Sequence, residues 1–329
     1  MKKITDMTPA EFREKLNRKA RGIFVKHTRH TKGYAYWYPS AWHAKFHHGN
    51  DDASNLYLAA RPNPGAGIGH QMANWIAGYW FASLFHVNFA HIPFSDRSWE
   101  SFLGFYQNEK TMTELKQQGY RVVRLPMFDE NNQKEMDEIR KIIHSYGEKK
   151  IVFLCEQDEF YHDQFGVRRQ LQEKFYSAPA RKSDHLIYSS DTCNIAVHVR
   201  RGDIVQKDGE NDPELSKRFQ SMDYFVNALK TALKSVNKPY EIYLFSQGKK
   251  EDFCAFEEFD HIHYCLDMDV QESFLHMVYA DVLITSRSSF SYKPALLNLG
   301  VKYSPKQFWH GYPVDPDWHL LDEEGHLIR

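Results

Sequence analysis

Apolar residues recur along this chain with two different periods, and together they predict alternating strands and helices. Short runs rich in β-branched and aromatic residues predict buried strands. In the first half these runs cover residues 55–60, 87–92, 121–125 and 151–155. Apolar positions at helical spacing predict helices over residues 70–85 and around 136–143, and a polar helical stretch is expected near residues 168–175. Because helices alternate with strands, we expect a parallel sheet.

The second half of the chain repeats this alternation. It predicts strands over residues 194–199, 241–246, 261–265 and 281–285. Helices are expected over residues 222–236, after residues 267–269, and over residues 288–299, where Gly300 follows. We therefore predict an α/β protein with a first domain over residues 1–180, a second domain over residues 181–300, and a tail over residues 301–329 that packs back.

Composition limits the classes of function. The 329 residues are 42% hydrophobic, and 42 Lys and Arg against 43 Asp and Glu give a formal charge of -1, so no global basic field favours nucleic acid. No segment reaches the roughly 18 apolar residues of a membrane span. Four cysteines without a CxxC pair predict reduced core thiols of a cytosolic protein, at Cys155, Cys193, Cys254 and Cys265.

The N-terminal segment is the most basic part of the chain. Thr8 and Glu11 form a capping box with Pro9 at the first helical position, and they predict a helix through about Lys19. The basic run over residues 13–32 could contact an anionic membrane surface from the cytoplasmic side. Its apolar side is thin, so the pattern favours a solvated face.

The charged residues that most clearly suggest a binding site follow the strand over residues 194–199. This strand leads directly into Arg200, Arg201, Gly202 and Asp203. Ligands bind at the carboxyl ends of strands in open α/β sheets, and paired guanidinium groups suit a phosphate or diphosphate. The alternative is a solvated turn in which the arginines pair with the carboxylate.

A glycine-rich loop precedes the first long helix. Glycines at positions 65, 67 and 69 allow a ligand to approach the backbone, and the helix behind them offers N–H groups to an anion. The GxGxxG spacing of dinucleotide sites fails, because His70 or Met72 stands where glycine is needed. Alternatively, the glycines only allow the helix and strand to pack tightly.

The motif His198-x-Arg200-Arg201-x-Asp203 resembles the hallmark of inverting fucosyltransferases that use GDP-fucose, the superfamily of α1,2-, α1,6- and protein O-fucosyltransferases. Three further segments are similar to family sequences: residues 241–247 contain Phe-Ser at a strand end, residues 288–292 read Ser-Ser-Phe-Ser-Tyr, and residues 67–71 read Gly-Ile-Gly-His-Gln. The second of these is closest to α1,2-fucosyltransferases. In the third, His70 replaces the usual Asn, which puts any role of that amide in doubt.

The resemblance implies a GT-B fold, in which two Rossmann-like domains face across a cleft, with the acceptor mainly on the first domain and the nucleotide on the second. It implies a metal-independent hexosyltransferase that moves L-fucose from GDP-β-L-fucose to a glycan hydroxyl with inversion, in an α1,2 linkage, without a cofactor. Arg200 is the implied diphosphate contact, and Asp267 or Asp269 receives the guanine N–H groups. The full set implied for GDP-fucose is Gly67, Gly69, His70, Gln71, His198, Arg200, Arg201, Asp203, Ser246, Asp267, Asp269, Ser288, Ser289 and Phe290.

The catalytic base is left open among several groups. The α1,6 relatives carry an acid shortly after the motif, and Asp208 and Glu210 lie at a similar spacing here, with His70 and Glu156 as alternatives. Other functions also remain open: a different sugar nucleotide, a protein hydroxyl acceptor, or a glycan-binding module without catalysis. Asp267-x-Asp269 is a weak metal signature, since the same pattern recurs at residues 315–317.

Overall fold

The structure, a computed structural model, describes residues 8–49, 53–155, 163–201 and 218–328, without the side chains of Ala10, Glu11, Glu14 and Arg18. The chain divides into two compact units. The first unit contains the described residues of Met1–Ala66, Asn74–Ser95 and Asn108–Tyr161. The second contains those of Gly67–Ala73, Asp96–Gln107 and His162–Arg329.

Ten α-helices lie among the described residues. They are α1 (Pro9–Thr28), α2 (Pro39–Phe46), α3 (Ile68–Leu84), α4 (Ser98–Leu103), α5 (Met112–Gln117), α6 (Gln133–His144), α7 (Arg168–Ser177), α8 (Met222–Leu233), α9 (Val270–Tyr279) and α10 (Ser289–Leu297). Shorter 3-10 helices cover Tyr34–Trp37, Pro179–Ser183 and Lys250–Phe256. The predicted first helix is therefore longer than its capping signals indicated, because α1 continues to Thr28.

The first unit is built around a five-stranded sheet. Its strands are β1 (Leu56–Ala60), β2 (Asn88–His91), β3 (Lys110–Thr111), β4 (Arg121–Arg124) and β5 (Ile151–Cys155). They lie in the order β3-β2-β1-β5-β4, and every neighbouring pair is parallel. All five side chains of β1 and of β5 are buried, which explains why these strands are nearly continuous apolar runs.

The second unit contains a six-stranded sheet. Its strands are β6 (Cys193–His198), β7 (Tyr240–Ser246), β8 (Ile262–Leu266), β9 (Val282–Ile284), β10 (Val301–Pro305) and β11 (Trp318–Leu321). The order is β8-β7-β6-β9-β10-β11, with all pairs parallel. Counted within this unit, that is the 3-2-1-4-5-6 order of a Rossmann sheet, and the order reverses between β6 and β9.

The α/β class with two Rossmann-like parallel sheets is therefore confirmed. Residues 301–329 supply strands β10 and β11 to the second sheet. Lys302 interrupts the apolar pattern of β10, so the sequence does not predict this strand. In the structure this lysine is only 2% exposed. Its ammonium donates a hydrogen bond to the Gly300 carbonyl over 2.6 Å, so the charge has a partner beside the strand.

The cysteines follow the prediction at three positions. Cys155, Cys193 and Cys265 are buried thiols on strands, but Cys254 is exposed, so its assignment to the core is corrected. Cys254 lies on the 3-10 helix Lys250–Phe256, whose core-facing residues are the fully buried Phe253 and Phe256. Among the described residues, no helix combines the length and apolar character that a membrane crossing requires.

Candidate functional site

The reversal point of the second sheet gathers polar groups at its carboxyl edge. Val197 of β6 pairs with Ile284 of β9, so the residues after each strand emerge side by side. Polar residues 198, 200 and 201 follow or end β6, and residues 285–288 carry Thr-Ser-Arg-Ser into α10. In doubly wound sheets this reversal creates the crevice in which ligands bind.

His198 links the two strands across this edge. Its imidazole Nδ1 lies 2.8 Å from the Ser286 hydroxyl, and its ring centroid lies 5.5 Å from that of Phe290. Burial, followed by the positive charge of Arg200, lowers the pKa of His198 to about 3. The imidazole is therefore neutral near pH 7, and it acts as a polar link between β6 and β9 and not as a cation.

Arg200 extends toward the first turn of α10. Its guanidinium Nη1 donates a hydrogen bond over 3.1 Å to the Ser288 hydroxyl. Ser288 is the N-cap of α10, and its hydroxyl also accepts a hydrogen bond from the Phe290 amide at 3.2 Å. A helix N-terminus carries partial positive charge, so this guanidinium and the start of α10 would both stabilise an anion placed between them.

Arg201 turns away from that helix. Its Nη1 donates to the carbonyl of Arg200 at 3.0 Å and to that of Gln220 at 3.3 Å. Its guanidinium carbon lies 5.2 Å from the centroid of the Phe219 ring, and burial lowers its pKa. Adjacent side chains at a strand end point in opposite directions, so the two arginines have different surroundings.

The glycine-rich loop contributes the first turn of α3 to the same unit. A Cβ atom on Gly69 would lie 2.7 Å from the Ser289 carbonyl carbon and 2.8 Å from its oxygen. The start of α3 therefore packs against the backbone at the start of α10, which supports the tight-packing alternative at this glycine. Within the described part of the chain, a Cβ on Gly67 would meet no atom within 4 Å.

The other residues predicted in this loop follow Gly69 directly. His70 is partly buried, and Gln71 is only 4% exposed. The amides of both residues donate to the Gly67 carbonyl, at 3.1 and 3.2 Å. The first turn of α3 is thus closed by Gly67 while its N-terminus faces the start of α10.

The far side of the edge, at β7 and β8, carries the remaining predicted residues. Ser246 donates from its hydroxyl to the Val199 carbonyl at 2.6 Å. Asp267 is exposed and has a φ of 54°, a left-handed conformation that holds it out at the end of β8. Asp269 caps α9, because its Oδ1 accepts hydrogen bonds from the amides of Gln271 at 2.8 Å and Glu272 at 3.2 Å.

Sequence reasoning missed several polar residues that stabilise this edge. Gln220 is 6% exposed, and its side-chain oxygen accepts a 2.6 Å hydrogen bond from the Arg287 amide. Lys293 of α10 is fully buried, and its ammonium donates to the side-chain oxygen of Gln164 over 2.5 Å. Burial lowers the pKa of Lys293 well below its usual value. A single lysine in the apolar segment 290–297 was the signal that could have identified it.

Some predicted groups lie outside the described residues: Asp203, Asp208, Glu210 and the alternative base Glu156. Across residues 8–49, 53–155, 163–201 and 218–328, no cluster of three His, Cys, Asp or Glu side chains could hold a metal ion.

Comparisons with known proteins give similarities at the level of structure. No protein-family model and no curated protein matches the sequence. The NodZ α-1,6-fucosyltransferase crystallised with GDP is similar at 13% identity and a TM-score of 0.47, covering 83% of this chain and 97% of that one. A variant of Arabidopsis thaliana FUT1 in complex with GDP is similar at 10% identity and a TM-score of 0.45, covering 86% of this chain and 77% of that one. POFUT1 in complex with GDP-fucose is similar at 10% identity and a TM-score of 0.43, covering 78% of this chain and 98% of that one.

Proposed function

We propose that the chain transfers L-fucose from GDP-β-L-fucose to a glycan hydroxyl with inversion, and that the second unit binds the nucleotide. The observation that carries this proposal is the hydrogen bond of 3.1 Å between Arg200 and the N-cap Ser288 at the reversal point of the sheet. It sets a guanidinium beside a helix N-terminus, which together suit a diphosphate. The family resemblance of the surrounding motifs supplies the identity of the nucleotide and the sugar.

The chemistry requires two kinds of assistance. As the acceptor oxygen attacks the anomeric carbon, the bond to the diphosphate breaks and negative charge grows on the departing oxygen. Arg200 and the amides at the start of α10 stabilise that charge, because they are fixed before the reaction begins. Attack from the face opposite the diphosphate converts the β-linked donor into an α-linked product. The acceptor proton goes to a carboxylate, for which Asp208 and Glu210 remain the proposed candidates.

The guanine contact is assigned to Asp267. A carboxylate that receives the two N–H donors of guanine needs both oxygens directed toward the base. The Asp269 carboxylate already accepts two backbone amides as the cap of α9. Asp267, exposed at the carboxyl end of β8, lies on the same sheet edge as Ser246 and Arg200.

Substitution of these two aspartates separates their roles. We expect Asp267→Asn to weaken GDP binding by about 10-fold to 100-fold, since it removes a hydrogen bond to a charged acceptor. Asparagine tolerates the left-handed backbone at this position, so folding should be preserved. Asp269→Ala should instead lower the free energy of unfolding by about 1 kcal/mol, the usual cost of losing an N-cap. Titration calorimetry and chemical denaturation measure the two effects, and a reversed pattern would exclude the assignment.

A nucleotide panel tests the proposed donor. GDP at about one hundred times its dissociation constant should raise the free energy of unfolding by about 2.7 kcal/mol. UDP and ADP should raise it much less, because they lack the guanine donors that Asp267 receives. A melting temperature that rises equally with UDP indicates another sugar nucleotide, and no response to any nucleotide favours a glycan-binding module without catalysis.

The finer parts of the proposal rest on the sequence motifs. The Ser-Ser-Phe-Ser-Tyr segment at residues 288–292 supports an α1,2 linkage. A carbohydrate acceptor is proposed over a protein hydroxyl for the same reason. Linkage analysis of the product by NMR distinguishes α1,2 from α1,6 transfer directly.

A further inference from the structure

Helix α1 carries an apolar stripe that its own unit leaves exposed. Phe12, Leu16 and Ile23 are 39%, 51% and 54% exposed. Leu16 and Ile23 lie four and eleven positions after Phe12, so all three share one face of a helix with about 3.6 residues per turn. No described side chain of α1 is buried. Such a stripe is costly in water and marks a surface that contacts another phase or partner.

Exposed aromatic rings also lie on the segments that follow α1 in the first unit. They are Tyr36, Trp37, Trp42 and Phe46, with exposures of 46%, 68%, 43% and 69%. Trp37 packs edge-on against Phe24 of α1, with ring centroids 5.5 Å apart. The Trp42 indole N–H donates to the Tyr36 carbonyl at 2.7 Å, which fixes that ring at the surface. We call these four rings and the stripe of α1 the α1–α2 surface.

The charge around the α1–α2 surface is strongly positive. Residues 9–49 contain nine Lys and Arg but only two Glu, in a chain whose formal charge is -1. Arg29 is buried in an ion pair with Glu135, so it does not contribute outward charge. Lys19 and Lys26 are exposed beside the stripe, and the Lys45 ammonium lies 5.1 Å from the Trp42 ring centroid. The apolar residues are therefore surrounded by cations.

We propose that the α1–α2 surface docks on an anionic lipid bilayer. Aliphatic and aromatic side chains enter the headgroup boundary, while the surrounding lysines attract negatively charged lipid headgroups. A glycan would stack on the rings but would gain little from Leu16 and Ile23, and a nucleic acid would use the lysines without the aliphatic stripe. A bilayer interface uses both features. The proposal concerns the first unit only and is independent of the proposed fucosyl transfer.

Vesicle flotation with the full chain tests this proposal without any sugar nucleotide. The chain should float with vesicles that contain phosphatidylglycerol and not with vesicles of phosphatidylcholine alone. The variant Lys19→Glu/Lys26→Glu/Lys45→Glu should bind at least about 100-fold more weakly, since each reversed charge turns attraction into repulsion. The control Lys116→Glu/Lys134→Glu/Lys234→Glu changes the net charge equally at exposed sites elsewhere and should bind like the parent.

A second variant tests the apolar contribution. Leu16→Ser/Ile23→Ser/Phe46→Ser alters only exposed side chains, so its melting temperature should match that of the parent while vesicle binding falls. Equal binding to neutral and anionic vesicles would overturn the proposal. So would indistinguishable behaviour of the lysine variant and its control, or binding to an anionic polysaccharide without binding to vesicles.

Discussion

Arg200→Lys is expected to lower kcat/KM for fucosyl transfer by about 100-fold to 1,000-fold, the usual cost of removing a group that stabilises transition-state charge. Arg200 donates to the N-cap hydroxyl of Ser288 through Nη1, which places its planar guanidinium at the start of α10. A guanidinium suits a diphosphate because it can form two parallel hydrogen bonds with it. Lysine keeps the charge but presents a single point donor, so it cannot hold both contacts.

Arg201→Lys is the matched control, because it makes the same chemical change at the adjacent position. Arg201 donates to two backbone carbonyls and lies over Phe219, so its loss should lower the melting temperature. Turnover by the folded fraction should fall less than about tenfold, since no contact made only in the transition state is removed. Steady-state kinetics with circular dichroism measure both effects. Equal and mild losses of kcat/KM in the two variants would contradict this division of roles.

Gly69→Ala is expected to abolish measurable GDP binding and to destabilise the chain by about 1–3 kcal/mol, the typical cost of overpacking. The added Cβ would overlap the Ser289 backbone, which cannot rotate away as a side chain could. The first turn of α3 and the start of α10 must then separate, and the amides that face the diphosphate move with them.

Gly67→Ala provides the comparison within the same loop. Its Cβ would meet no described atom within 4 Å, and its φ is not positive, so alanine should fit without strain. Calorimetric titration with GDP and chemical denaturation should give values close to those of the parent chain. Loss of GDP binding in both variants would show that the loop requires flexibility, and loss in neither would remove the loop from the site.

The sequence predicts much of the fold because the apolar residues of its local patterns are the residues that the structure buries. Residues 151–155 are an apolar run of strand length, and they form β5 with the predicted bounds. The first helix was underestimated because its apolar stripe is exposed and mixed with lysines, which resembles a solvated segment. Strand β10 was missed because Lys302 interrupts its apolar pattern, and its buried ammonium is satisfied by a carbonyl that sequence cannot reveal.

The sequence predicts only part of the candidate site. Strand-end position pointed to Arg200, but its partner Ser288 follows a strand more than eighty residues later, and their proximity depends on the strand order. The ambiguity between Asp267 and Asp269 had a local signal, because Asp269 and Glu272 have the spacing of a capping residue and an acidic first turn. Gln220 and Lys293 act through contacts distant in sequence, which no local pattern encodes.

Product analysis tests whether the chain transfers fucose with inversion and without a metal ion. The chain is incubated in EDTA with GDP-β-L-fucose and a panel of acceptor sugars, and the anomeric configuration of any fucoside is determined by NMR. We predict an α-linked fucoside formed at full rate without a divalent cation, because the fixed charges of Arg200 and α10 replace the metal. A β-linked product, or transfer that appears only when manganese is restored, would contradict the account.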